Sequence, residues 1–125
     1  MIKIELEFPV KSSIRVLYNA ISTVSGLTSW FCDDIRLENN KKHWVFCWKD
    51  SEQVAKVLEM EEDYYVRFKW LEEDEETFFE FRIDIDEITG DISLVVIDFV
   101  DEDDVDTSTA LWENQIKDLF KSLGA

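Results

Sequence analysis

The stretch "VLYNAISTVSGLTSWFCDDI", Val16 to Ile35, decides how the rest of the chain is read. Together with Ile14 just before it, Leu17, Tyr18 and Ile21 fall at i, i+3, i+4 and i+7, the apolar stripe of a short amphipathic helix. Ser12 and Ser13 stand where an N-cap belongs. Leu27, Trp30 and Phe31 repeat the i, i+3, i+4 spacing, so a second, shorter helix is expected, entered through Ser25 and Gly26. Cys32 falls where that helix runs out, and Asp33 is expected to begin a strand. A cysteine beside two aspartates could be a nucleophile with acid/base help, a metal corner, or the end of a helix. What surrounds it decides between them.

Upstream, "IKIELEF" alternates, with Ile2, Ile4, Leu6 and Phe8 on one face and Lys3, Glu5 and Glu7 on the other. That is a half-buried strand, expected to end at Pro9 because proline cannot donate to the ladder. Downstream, "DDIRLE" and "HWVFCW" flank the polar turn "NNKK". Pairing Glu38 with His43 sets Leu37 opposite Trp44 and Ile35 opposite Phe46, so the two apolar faces coincide. A second hairpin joins "YYVRFKW" to "TFFEFRI" across "LEEDEE". Pairing Trp70 with Thr77 places Phe68 opposite Phe79, Val66 opposite Phe81, and Arg67 opposite Glu80 on the polar face. "SEQVAKVLEM" fits neither period well and is read as strand from its place between two strands. "DISLVVIDF" is β-branched and apolar on both faces, as a well-buried strand is. Asp106, Thr107 or Ser108 can cap a final helix whose face carries Leu111, Trp112, Ile116, Leu119, Phe120 and Leu123, closed by Gly124. The order is β-α-α, then six strands, then one long helix, which makes an α+β domain spanning residues 1–125.

The chain is 46% hydrophobic and 14% aromatic over 125 residues, ample material for one core. Its nine Phe and five Trp exceed what a minimal core needs, so the rings either fill a large interior or line a cavity. The net charge of −16 repels phosphates, which disfavours nucleic acid and anionic membrane surfaces. No apolar stretch approaches the ~20 residues that span a bilayer. The alternating start is unlike a signal peptide, so a soluble, cytoplasmic protein is expected. With two cysteines and no C-x-x-C, neither a disulfide scaffold nor a zinc site is expected.

These motifs, in this order, resemble the START-like (SRPBCC, helix-grip) superfamily, and within it the bacterial relatives of the Hsp90 ATPase activator's C-terminal domain. "VLYNAIS" (16–22) and "GLTSWF" (26–31) match that branch's paired helices, "VRFKW" (66–70) its aromatic-Trp strand, and "LWENQI" (111–116) the start of its last helix. "NNKK" stands where the branch often carries glycines. The resemblance implies a helix-grip fold, a curved antiparallel sheet wrapped around the C-terminal helix, with any cavity between the two. Its candidate lining is Phe46, Trp48, Phe68, Trp70, Phe79, Phe81 and Trp112. It further implies a non-enzymatic binding domain, for a small apolar ligand or a protein partner, acting as monomer or homodimer without a cofactor. The alternatives are a chaperone-activator type of protein-interaction module, working through its acidic or apolar surface, and a cyclase- or hydrolase-like enzyme with a carboxylate in the cavity.

Residue chemistry weighs against catalysis at Cys32. A nucleophilic thiol needs a base or a lowered pKa, and neighbouring aspartates raise it. The single histidine, His43, lies at the far turn of its hairpin. One histidine is a poor zinc anchor, and "DEDDVD" (101–106) lacks the glycine and distal glutamate of an EF-hand loop. Asp98 interrupts the apolar run "SLVVIDFV" and is the carboxylate to watch: desolvated, it would have a raised pKa, though such a residue commonly pairs with an arginine or turns outward. The acidic runs at 72–76 and 101–106 set a balance between helix-dipole attraction and mutual repulsion. At −16 repulsion dominates. The melting temperature is therefore expected to rise from low salt to about 0.1 M sodium chloride. Calcium at matched ionic strength should add little; a saturable, calcium-specific rise would instead make residues 101–106 a metal site.

Overall fold

The computed structural model describes residues 1–73 and 76–124. Asp74 and Glu75, at the centre of the acidic run 72–76, lie outside the described residues, as does Ala125. Seven strands form one antiparallel sheet: β1 (Ile2–Val10), β2 (Asp34–Glu38), β3 (His43–Trp48), β4 (Ser51–Glu61), β5 (Tyr65–Trp70), β6 (Phe79–Ile85) and β7 (Ile92–Val100). Their order across the sheet is β1-β7-β6-β5-β4-β3-β2. Helices α1 (Ile14–Ser22) and α2 (Val24–Leu27) follow β1, and α3 (Val105–Leu123) follows β7. This is the expected α+β helix-grip architecture. A bulge between Val57 and Glu59 in β4 shifts the register there, the device by which a sheet bends.

Both expected hairpin registers are present. Ile35 pairs with Phe46 and Leu37 with Trp44. Val66 pairs with Phe81, Arg67 with Glu80 and Phe68 with Phe79. The core face therefore gathers Trp44, Phe46, Phe68, Phe79 and Phe81, all buried. In the β2–β3 turn Asn39, Asn40 and Lys41 all take positive φ (51, 55 and 68°). Asparagine visits this region more readily than other side chains, so the paired Asn residues do what glycine does elsewhere.

On the outer face Glu80 is fully buried between two arginines. Its Oε1 accepts from Arg67 Nε at 2.7 Å, and Arg82 Nε lies 2.9 Å from its Oε2, a close charge contact whose angle falls short of a hydrogen bond. Arg67 also stands 4.4 Å from the Phe78 ring centre, and Arg82 about 5 Å from the rings of Tyr64 and Tyr65. The Arg67–Glu80 pair, expected to be of modest value, is thus anchored on a fully buried carboxylate, which removal of Arg67 would leave with less countercharge.

Several boundaries differ from expectation. Pro9 does not end β1; it pairs with Ser93 and the strand runs to Val10. β1 is an edge strand, where a missing N–H can face away from the ladder. β2 begins at Asp34, although the Asp33 N–H already donates to the Cys47 carbonyl. β6 begins at Phe79, two residues after Thr77. The second helix is entered at Thr23, which closes α1 and caps α2 at once: its Oγ1 accepts from the Gly26 N–H at 2.9 Å and donates to the Asn19 carbonyl at 2.8 Å. Ser13 caps α1 as expected, accepting from Val16 N–H. The cap of α3 is Asp104, with no side-chain bond, rather than a residue of 106–108. A 3-10 turn over Glu102–Asp104 leads straight into the helix and makes a hydroxyl cap unnecessary. Gly124, in the left-handed conformation, ends it.

Gly26 is where the two short helices touch. A Cβ there would stand 2.0 Å from the Asn19 carbonyl oxygen, an impossible distance, so only glycine permits this contact. The close approach seats Trp30, 7% exposed, whose indole N–H donates to the Ala20 carbonyl at 2.8 Å. Its ring meets Phe81 edge-on at 5.4 Å. Trp30→Ala is expected to cost ~3–5 kcal/mol as a large-to-small core change, read from the denaturant midpoint. A midpoint that hardly moves would show that Trp30 does not anchor the helices.

Candidate functional site

The turn that follows α2 carries Phe31 into the centre of the molecule, because the Phe31 N–H is held by the Leu27 carbonyl at 2.8 Å. The Phe31 ring stacks on Trp112 of α3 (centres 6.0 Å apart, planes 11° apart) and on Phe79 of the sheet (6.0 Å, 28°). It also meets Phe46, Trp48 and Phe81 edge-on. The seven rings proposed as a cavity lining join this same cluster. Phe46, Phe68, Phe79 and Phe81 are at most 1% exposed and pack on one another. Trp70 stacks on Phe79 at 4.6 Å and tilts against Trp48 at 6.3 Å; Trp112 meets Phe81 at 5.7 Å. Trp48 and Trp70 remain half-buried at the margin.

Phe31 was not among the sequence candidates. Its place on the Leu27–Trp30–Phe31 stripe signalled burial, but not that it would bridge the sheet and the last helix.

At that margin lies an open groove of about 620 Å³. Thr28 to Asp33 form one wall, Trp48 the base, and Gln115, Asp118, Lys121 and Ser122 of α3 the other wall. The Trp48 indole N–H is satisfied by the Phe31 carbonyl at 3.0 Å, so its ring presents a fixed apolar surface. A smaller recess of about 310 Å³ adjoins the groove and shares Gln115 and Asp118 with it. It is lined also by Asp98, Ser108, Leu111, Trp112 and Asn114.

Asp98 pairs with Ile4 across β1–β7 and follows Leu94 and Val96 on the core face. It neither meets an arginine nor turns away. Its Oδ2 accepts from the Trp112 indole N–H at 3.0 Å and its Oδ1 from the Phe99 N–H at 2.8 Å. Burial pushes its pKa above the ordinary carboxylate value; the two hydrogen bonds partly offset that, and Glu73 adds to the rise.

Cys32 and Cys47 are both free thiols. The Cys32 thiol is pushed up to about 12, first by burial and then by Cys47, Asp33 and Asp34, so it is not a thiolate at neutral pH. His43 lies at the opposite end of β3 from Cys47, paired with Glu38 and Lys56. Among the described residues no group of three His, Cys, Asp or Glu is placed to hold a metal ion, and no helix is long and apolar enough to cross a membrane.

A family model described as the START-like superfamily domain matches residues 1–125. Among solved structures, the Aha1 dimer from Colwellia psychrerythraea is similar, with a TM-score of 0.78 at 18% identity, covering 98% of this chain and 96% of that one. An uncharacterized protein from Bacillus thuringiensis gives 0.79 at 9% identity, covering 99% and 100%. DynU16, a protein of the dynemicin biosynthetic locus, gives 0.78 at 14% identity; the match covers 98% of this chain and 47% of that one. At these identities the likeness is one of fold. A search of curated proteins returned no match.

The Asp98 environment sets a pH signature. With its folded pKa raised, the native state holds a proton where the unfolded chain has released it. Stability from this group is therefore fullest below the ordinary value of 3.8 and falls as pH rises through the raised one. Asn at this position keeps an acceptor for Trp112 without the charge and gives up the bond from the Phe99 N–H. Asp98→Asn is expected to melt higher than the parent at neutral pH, with the difference shrinking toward acid pH. Thermal melts across that range check it, and a neutral-pH loss of stability would show that the two hydrogen bonds to the carboxylate outweigh its desolvation.

Proposed function

The chain belongs to the START-like superfamily, and from that footing we propose that it is a non-enzymatic binding domain that takes a small apolar ligand in the groove beside α3. The observation that carries this reading is the groove itself. Its volume of about 620 Å³ exceeds the ~300 Å³ at which ligand sites generally begin. Its base is the half-buried Trp48 ring, backed by the buried Phe31 and, behind that, by Phe46, Phe79 and Phe81. Of the seven rings expected to line a cavity, Trp48 borders the groove and Trp112 the adjoining recess, while Phe46, Phe68, Trp70, Phe79 and Phe81 are in neither lining. A ligand seated here covers rings that are already rigid, so little side-chain entropy is lost on binding. The non-enzymatic reading is supported by the state of the available groups. The Cys32 thiol is held protonated, His43 stands at the other end of its strand, and Asp98 is tied to Trp112 and to its own strand.

The probe for the test is naphthalenemethanol, a neutral bicyclic alcohol, titrated calorimetrically into the purified protein. One-site saturable binding is expected, weakened roughly tenfold or more by Ser122→Trp, which fills the groove from an exposed helix position without touching the core. Binding unaffected by that substitution, or no saturable binding, would overturn the reading. Native mass spectrometry of the same preparation reports any copurified ligand and the number of subunits.

A further inference from the structure

We propose that the recess at Asp98 is an ammonium-binding subsite, so that the ligand of this domain is an organic amine with an apolar body. The proposal rests on the ligand-binding reading above and adds the polar chemistry of the ligand.

The recess adjoins the groove, with Gln115 and Asp118 lining both. The recess is lined by two carboxylates, Asp98 and Asp118, by the neutral polar side chains of Ser108, Asn114 and Gln115, and by no cation among the described residues. Asp98 sits on the face of β7 that packs toward α3, a position otherwise filled by Leu94, Val96 and Val100. A carboxylate there is a cost to the fold, because burial disfavours its charged form. Among the described residues no arginine or lysine forms an ion pair with it, whereas the fully buried Glu80 has two arginines. The Trp112 and Phe99 N–H groups each occupy one acceptor position on a different oxygen. A carboxylate offers about four such positions, so about two remain for a donor arriving from the recess. The indole fixes the plane of the carboxylate and, through its stack on Phe31, ties the recess to the aromatic base of the groove. A ligand ammonium supplies the missing countercharge and the missing donors together. Its apolar body then lies along Trp112 toward Trp48. The net charge of −16 draws such a cation in and repels a carboxylate of the same shape.

The experiment compares three ligands with one ring system at about 0.15 M salt, where long-range attraction is screened: naphthylmethylamine, naphthalenemethanol and naphthoate. The amine is expected to bind roughly tenfold or more tighter than the alcohol, as a hydrogen-bonded charge does, and naphthoate weakest of the three. Asp98→Asn should bring the amine down to the affinity of the alcohol and leave the alcohol unchanged. Glu87→Gln, which removes one charge from the exposed β6–β7 turn, should alter neither. The melt of Asp98→Asn, recorded on the same sample, separates loss of amine binding from unfolding. Equal binding of amine and alcohol by the parent protein, or equal loss in Asp98→Asn and Glu87→Gln, overturns the subsite while leaving the apolar groove in place. An amine that binds through Asp98 while the alcohol does not bind upholds the subsite and overturns the apolar reading. No binding of any of the three overturns both.

Discussion

The Phe31 ring is the contact on which the arrangement of the sheet, the paired short helices and α3 depends. It lies between Trp112 on α3 and Phe79 on the sheet, near-parallel to both, and takes the edges of three further rings. Aromatic pairs of this kind contribute ~0.5–1.5 kcal/mol each beyond burial, so one side chain shares in several at once. The backbone delivers the ring by a chain of local necessities. Thr23 ends one helix and starts the next, Gly26 lets the two helices touch, and the Leu27 carbonyl holds the turn that follows. The groove exists because this turn stands off from the C-terminal half of α3 while Phe31 pins its base.

Two carboxylates of the same sheet, Glu80 fully buried and Asp98 half-buried, meet different fates. Glu80 is on the outer face, and its neighbours across and along the strand supply guanidinium groups that are themselves covered by rings. Its charge is answered within the fold. Asp98 is on the face turned toward α3, and what reaches it is an indole N–H and a main-chain N–H. Dipoles answer part of a charge and leave the rest. A carboxylate at a position where an apolar side chain would pack costs the fold stability, because burial disfavours its charged form.

Sequence periodicity was enough for β1 and for the hairpins β2–β3 and β5–β6, where one-residue slips would have turned the apolar faces of Ile35, Leu37, Val66 and Phe68 outward, whereas β4 fits neither period and was placed by its neighbours. It was enough for α1 and the body of α3 for the same reason at a different period. It did not locate Pro9 inside a strand, since the tolerance comes from being at an edge, which only the whole sheet defines. The cap of α3 was misplaced because the preceding 3-10 turn supplies the geometry that a hydroxyl would otherwise supply. At the site, Trp48 and Trp112 were legible as large rings on inward faces. Phe31 as a bridge and the Asp98–Trp112 bond were not, because each joins residues far apart in the chain through packing that no local pattern records.

The sheet order carries a consequence for how the protein is made. β1 has one partner, β7, and their register joins Ile2 to Val100, so almost the whole chain must exist before the first strand can pair. The five strands from β2 to β6 form an unbroken meander of neighbours in sequence and can assemble as they leave the ribosome. The alternating apolar segment at the start of the chain must wait through that synthesis with its edge open, the kind of exposed strand on which misassembly begins. The lysine and glutamates that alternate with its apolar residues protect it during that wait: Lys3, Glu5 and Glu7 put charge on the strand until its partner arrives.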